Sequence, residues 1–137
     1  MVRRTLTLLA CGLAVAVLVA ACGGSSGSGS STPTSSAGSI PAGAHVVEID
    51  VASQGLAFAE SSATVKSGPV VIRSKNPQSL SHDISLKGNG VDQQGQEVSN
   101  GGTSTLVFAD LKPGTYEFYC SVPGHEAAGM KGTLTVT

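Results

Sequence analysis

The 137-residue sequence has no tryptophan, two tyrosines, three phenylalanines, three histidines and three cysteines. Charge is scarce too: 12% of residues are charged, and eight basic against nine acidic groups leave a formal net charge of −1. Such a balance excludes the basic footprint that nucleic-acid binding needs. Arg3 and Arg4 lie at the extreme N-terminus, so from residue 22 onward six basic residues face nine acidic ones. With imidazoles only at His45, His82 and His125, and thiols only at Cys11, Cys22 and Cys120, any metal site must be small. A multinuclear metal oxidase, which needs many more imidazoles, is excluded.

Long apolar runs are equally rare. The N-terminal one, Thr5–Ala21, is 17 uncharged residues behind the basic start Met1–Arg4, at the lower edge of a bilayer span and typical of a secretory signal. It ends Val19-Ala20-Ala21-Cys22, which resembles the lipobox of bacterial lipoproteins, where the cysteine is acylated and becomes the new N-terminus. An uncleaved membrane anchor is the competing reading, and the shortness of the run speaks against it. The Arg3-Arg4 pair is too common in signal n-regions to indicate twin-arginine export. Either anchor leaves the rest of the chain outside the cytoplasm.

Residues 23–39 hold five Gly and eight Ser among 17 positions. With no apolar group to offset the entropy of ordering, this segment reads as a disordered linker with a root-mean-square reach of about 20–25 Å. It serves as a tether near a membrane-bound partner or as a plain spacer. The expected organisation is a signal at 1–21, a lipidated Cys22 with flexible linker over 22–43, and one folded domain over 44–137, of ordinary size for a single core. Cys11 leaves with the signal and Cys22 is acylated, so Cys120 stands without a disulfide partner in an oxidising compartment. A lone thiol there is a liability unless something occupies its sulfur.

Within 44–137 no stretch has a helical period, and short Val-, Ile- and Thr-rich segments alternate between Gly, Pro, Asn and Asp breaks. Strands are expected at His45–Val51, Thr64–Lys66, Val70–Ser74, His82–Leu86, Thr103–Phe108, Gly114–Cys120 and Lys131–Thr137, with turns at Ser67-Gly68-Pro69, Gly88-Asn89-Gly90 and Lys112-Pro113-Gly114. Seven or eight such strands predict an all-β fold, a two-sheet Greek-key β-sandwich. In Gly114–Cys120, alternation sends Tyr116, Phe118 and Cys120 to the core and Glu117 and Tyr119 away from it. The polar Gly88–Gly102 segment reads as a mobile excursion with at most one weak strand.

The chemistry concentrates in Cys120-Ser-Val-Pro-Gly-His125-Glu-Ala-Ala-Gly-Met130, which delivers a thiolate, an imidazole and a thioether with four residues in each gap. His82, 38 positions before Cys120, is the fourth candidate. Two imidazoles and a thiolate with a weak axial thioether make a type 1 copper site, since soft sulfur suits Cu(I) and imidazole suits both oxidation states. A structural zinc site would normally recruit more thiolate. His45 matches no ligand position and reads as a solvent-facing strand residue.

The stretch GTYEFYCSVPGHEAAGMKGTLTVT resembles the C-terminal signature of the cupredoxins, the family of plastocyanin, azurin and auracyanin. The Cys-to-His gap with Pro-Gly before the histidine is similar to azurin, and the His-to-Met gap ending Gly-Met is closer to plastocyanin. LAFAESSATVKSGPVVIRSKNPQSLSHDI resembles the family's early strands. The resemblance implies a single copper ion held by His82, Cys120, His125 and Met130. It also implies a docking patch around the outer ring edge of His125, here Pro123, Ala127, Ala128 and Gly129 with Glu126 interrupting it. Tyr119 occupies a position similar to plastocyanin's second electron route, or is an ordinary exposed strand tyrosine. The family usually has Asn after the first histidine; Asp83 stands there, and we expect its carboxylate to brace Cys120 through Ser121.

These features imply a membrane-tethered blue copper protein, a monomer passing single electrons between redox proteins of a membrane-associated chain. Four protein ligands leave no open position for a substrate, which argues against an enzyme. A binuclear centre would need a second loop cysteine where Gly124 stands. The alternatives are an extracytoplasmic copper chaperone or buffer, separable by whether the metal is surrendered to a partner, and a metal-free adhesion module, separable by whether Cu(II) turns the protein blue.

Overall fold

The computed structural model describes residues 39–137; the predicted signal, Cys22 and nearly all of the predicted linker lie outside the described residues. Among them eight strands form: β1 (His45–Glu48), β2 (Ser62–Val65), β3 (Gly68–Lys75), β4 (Ser85–Gly88), β5 (Val91–Gln93), β6 (Thr103–Leu111), β7 (Gly114–Tyr119) and β8 (Lys131–Val136). They build a three-stranded sheet, β1-β3-β6, and a five-stranded sheet, β2-β8-β7-β4-β5. No helix occurs among the described residues. The all-β sandwich expected from period-two alternation is therefore the fold.

Alternation decides what enters the core. On β8, Leu134 and Val136 are buried while Lys131, Thr133 and Thr135 are exposed. Tyr116 and Phe118 on β7 are buried with Cys120 just beyond it. Phe118 meets Phe58 edge-on, ring centroids 5.3 Å apart, a favoured aromatic geometry. Ile49, Ile72, Ile84, Leu86, Leu106, Met130 and Leu134 complete the apolar centre. Burying a side chain of this size contributes about 1.5–3 kcal/mol. The core therefore runs directly into Cys120 and Met130.

The expected strands form with shifted ends. β1 stops at Glu48, although Ile49 and Val51 still donate to Arg73 and Lys75 carbonyls at 2.8 and 3.0 Å. Pro69 falls inside β3 rather than in a turn, at a register shift between Gly68 and Val70. Proline is tolerated there because the ladder is already interrupted. The Lys112–Pro113 turn passes the chain from one sheet to the other, and the Tyr116 hydroxyl closes it by donating to the Lys112 carbonyl at 2.9 Å, as tyrosines at sandwich corners do.

The Gly88–Gly102 segment holds one short strand of its own, as expected, but it is tied to its neighbours. It carries β5, and its far end is tied in by reciprocal backbone hydrogen bonds between His82 and Val98 (3.0 and 2.8 Å). Gly95 lies so close to the Ile84 carbonyl and the Ser104 hydroxyl that a Cβ would overlap both. Polar composition suggested an excursion, but backbone hydrogen bonds to His82 and the close approach of Gly95 fasten the segment to neighbouring elements.

Candidate metal centre

β4 and β7 are antiparallel neighbours, paired Ser85 to Tyr119 and Lys87 to Glu117. Continuing that register past the strand ends sets Ile84 beside Cys120 and Asp83 beside Ser121, with His82 next in line. β7 and β8 are also paired, so the segment Cys120–Met130 is the connection between adjacent strands. The site thus forms where β7 ends, β4 begins and the β7–β8 connection turns back.

Each part of the chain is held locally. Asn76, fully buried, donates from Nδ2 to the Leu80 and Val98 carbonyls at 2.8 and 2.6 Å and accepts from the Gln78 amide at 2.9 Å. These bonds shape the turn before His82. In the β7–β8 connection, His125 N donates to Val122 O, Met130 N to His125 O (both 3.0 Å) and Cys120 N to Met130 O at 3.1 Å. Gly124 and Gly129 adopt φ of 86° and 101°, a region that side chains with a Cβ rarely occupy. The reversal around His125 therefore needs both glycines.

Of the four side chains expected to converge, His82, Cys120 and His125 bring their ligand atoms together. Cys120 Sγ lies 3.4 Å from His125 Nδ1 and 3.8 Å from His82 Nδ1, and the three ligand atoms all lie within 4.8 Å of one another. The imidazole rings are 4.9 Å apart, tilted by 47°. A first-row divalent ion binds imidazole at about 2.0–2.1 Å and thiolate at about 2.3 Å, so a trigonal arrangement implies N···S separations of about 3.8 Å. The distances fit a single ion, and the two-nitrogen, one-sulfur donor set suits copper. Met130 is fully buried in the same core cluster as Cys120, and its backbone bonds to both Cys120 and His125. His45 is exposed and apart, as expected.

Burial pushes the Cys120 thiol up to about 11, so metal binding at neutral pH must displace its proton. Burial, and then the neighbouring His125, hold His82 below the ordinary imidazole value, with Asp83 acting weakly the other way. A neutral imidazole keeps the lone pair that a metal takes. His82 Nε2 is buried with no hydrogen-bond partner among the described residues, so packing and the Nδ1 side set the ring's orientation.

Asp83 meets Ser121 as expected: Oδ1 accepts the Ser121 amide and Oδ2 the Ser121 hydroxyl, both at 2.6 Å. Oδ2 also accepts the Ser85 hydroxyl at 2.7 Å, and Ser85 Oγ in turn accepts the Gly95 amide at 3.3 Å. The sequence reading missed this extension to Ser85 and Gly95, because residue spacing alone carries no sign of it.

Pro123, Ala127, Ala128 and Gly129 are exposed around His125, which is itself 8% exposed. Glu126 is engaged by Lys87 at 2.6 Å rather than standing as a free charge within the patch. Tyr119 corrects one expectation. It points away from the core yet is only 6% exposed, lying beneath the Lys87 ammonium (4.4 Å from the ring centroid) with its hydroxyl 3.4 Å from Asp92 Oδ1. The strand β5, which the alternation pattern left nearly blank, supplies Asp92.

Comparison with known proteins agrees with this geometry. Residues 45–137 match the family described as copper binding proteins, plastocyanin/azurin family. Auracyanin-B of Chloroflexus aurantiacus is 50% identical over 40 residues, covering 29% of this chain and 17% of that protein's length. Among solved structures, the dithionite-reduced auracyanin of Roseiflexus castenholzii superposes with a TM-score of 0.61 at 27% identity, over 69% of this chain and 99% of its own. An auracyanin B structure gives 0.58 at 28% identity, over 67% and 88%.

Proposed function

The chain belongs to the plastocyanin/azurin family of copper-binding proteins, and on that premise we propose that it carries single electrons between redox partners. The cofactor is one copper ion. On this reading His82, Cys120 and His125 would hold it, with the buried Met130 thioether as the fourth donor. The observation that carries the proposal is one buried thiol facing the Nδ1 atoms of two histidines at 3.4 and 3.8 Å. Copper bound there supplies a one-electron couple between Cu(I) and Cu(II).

The chain's own residues supply the rest. Cys120 gives up its proton to become a ligand, and His82 and His125 present neutral nitrogens. The sandwich keeps all four groups in place, because Cys120 and Met130 are embedded in the apolar core. That burial favours a carrier over a copper chaperone or buffer, since surrendering the ion would require opening the core. With four donors from the protein, no position is left for a substrate, and we assign no enzymatic activity.

His125 is the exit for the electron. His125, 8% exposed, sits among the exposed Pro123, Ala127, Ala128 and Gly129, a small apolar patch suited to brief encounters at the low end of interface size. We further propose that residues 1–21 direct export, that Cys22 is lipidated, and that the 22–43 linker tethers the 44–137 domain as a monomer to the outer membrane face. There its partners are redox proteins of a membrane-associated chain.

Adding Cu(II) to the full chain tests the reading. An intense visible thiolate-to-copper band is expected, lost in Cys120→Ser and retained in Met130→Leu with a raised reduction potential. A colourless protein, or colour surviving in Cys120→Ser, overturns it.

A further inference from the structure

Lys87 lies on β4, five residues after His82, and belongs to none of the groups assigned so far. Its ammonium reaches Glu126 Oε1 at 2.6 Å and Glu117 Oε1 at 3.0 Å. Glu126 follows His125 in the chain, and Glu117 stands three residues before Cys120. Lys131, next after Met130, reaches the other oxygen of Glu117 at 4.0 Å. One cation therefore gathers carboxylates from the strand leading into the site and from the connection that carries His125.

The hydrogen bonds of the β7–β8 connection around His125 are internal, Ala128 N to Gly124 O and Gly129 N to Glu126 O among them. Gly124 and Gly129, both at positive φ, bracket His125 and Glu126 and form natural hinges. Within that bracket Glu126 is the side chain that reaches across to β4. At its start, outside the bracket, the connection is held by Asp83 at Ser121.

We propose that Lys87 is a positioning residue for His125: by drawing Glu126 onto β4 it closes the Gly124–Gly129 segment over the metal centre. The inference rests on His125 being a copper ligand. Lys87 is 38% exposed, and an ion pair at that exposure adds little to global stability. Its effect is local, on how often the segment lifts and lets the ion out. Removing the cation also leaves Glu117 and Glu126 as neighbouring like charges with only the more distant Lys131 to offset them, which pushes the segment outward.

The test compares copper-loaded full chains of wild type, Lys87→Met, Glu126→Gln, the double variant and Lys87→Arg. The readouts are the rate of Cu(II) loss to excess EDTA, followed by the visible band, and the reduction potential. Lys87→Met keeps a long unbranched side chain and removes the charge. It and Glu126→Gln should each release copper about two- to fivefold faster, the size an exposed ion pair supports. The double variant should be no faster than the faster single one, as for two residues acting through one contact. Lys87→Arg should restore the wild-type rate, and ~1 M salt should speed wild type but not Lys87→Met. An unchanged release rate in Lys87→Met, or additive effects in the double variant, overturns the latch while the blue band shows the copper site intact. A wild type that never turns blue overturns the copper reading and the latch together.

Discussion

Asp83 faces Ser121 along the continued β4–β7 register, and its carboxylate accepts both the Ser121 amide and the Ser121 hydroxyl at 2.6 Å. One side chain thereby ties the residue after His82 to the residue after Cys120. The bond is short because the donor comes to a charged acceptor. It joins the two chain segments from which the candidate ligands come.

Two substitutions separate the geometry of that tie from its charge. Asp83→Asn keeps an acceptor for the Ser121 amide and removes a negative charge beside the metal. Losing that charge favours the reduced ion, so the potential should rise while the blue band persists. Asp83→Ala strands the Ser121 amide and hydroxyl, which costs about 1–3 kcal/mol for a buried unsatisfied group and should speed copper loss. Voltammetry and thermal melts check both; an unmoved potential in Asp83→Asn and unaltered copper retention in Asp83→Ala would show that the carboxylate is only packing.

How much of this was legible follows from where each contact lies in the chain. Cys120, His125 and Met130 share one connection, so their spacing exposes them directly, and alternation along β7 already turns Cys120 inward. His82 stood only as a candidate by residue type until the family resemblance made it a ligand, because nothing local says that residue 82 meets residue 120. Lys87 and Glu126 are 39 positions apart, and their contact depends on the β4–β7 pairing, which periodicity cannot supply. The exposed reading of Tyr119 failed for the same reason: alternation gives the side of the sheet, not what covers that side.

The Cys120 thiol gives the metal-free protein a pH signature. Its value is pushed from 9.0 up to about 11, chiefly by burial, so the folded state holds the proton more tightly than the unfolded one. The resulting stabilisation is full below about pH 9 and is lost as pH rises towards about 11. A copper-bound thiolate has no proton to lose. Thermal melts of metal-free protein should fall more steeply over that window than melts of copper-loaded protein or of metal-free Cys120→Ser. Parallel curves for all three would contradict the assignment.

Gly95 offers a probe of the segment whose order the composition concealed. A methyl group there would overlap the Ile84 carbonyl and the Ser104 hydroxyl, and both residues are buried. Gly95→Ala should destabilise the domain by about 1–3 kcal/mol, the usual range for overpacking, or about 4–8 °C in melting temperature per kcal/mol for a domain of this size. Because the Gly95 amide donates to Ser85, and Ser85 to Asp83, copper retention should drop as well. A melting temperature within a degree of wild type would show that the segment yields freely.

The patch around His125 has one charged member, Glu126, and Lys87 holds it. Pro123, Ala127, Ala128 and Gly129 present no charge and Glu126 is paired, so two copies can meet patch to patch without burying an unpaired ion. Electron self-exchange in the wild type should accordingly vary little with salt. Ala128→Asp puts a carboxylate into the contact, and self-exchange places two of them face to face. The rate should fall about tenfold or more at low ionic strength and recover as salt screens the repulsion. The blue band should not change, since Ala128 is exposed and its backbone bond runs to Gly124, not to a ligand. Line broadening in mixtures of reduced and oxidised protein measures the exchange. A variant as fast as wild type at low salt would mean that electrons leave by another face, with the buried ring of Tyr119 beside Cys120 the next place to substitute.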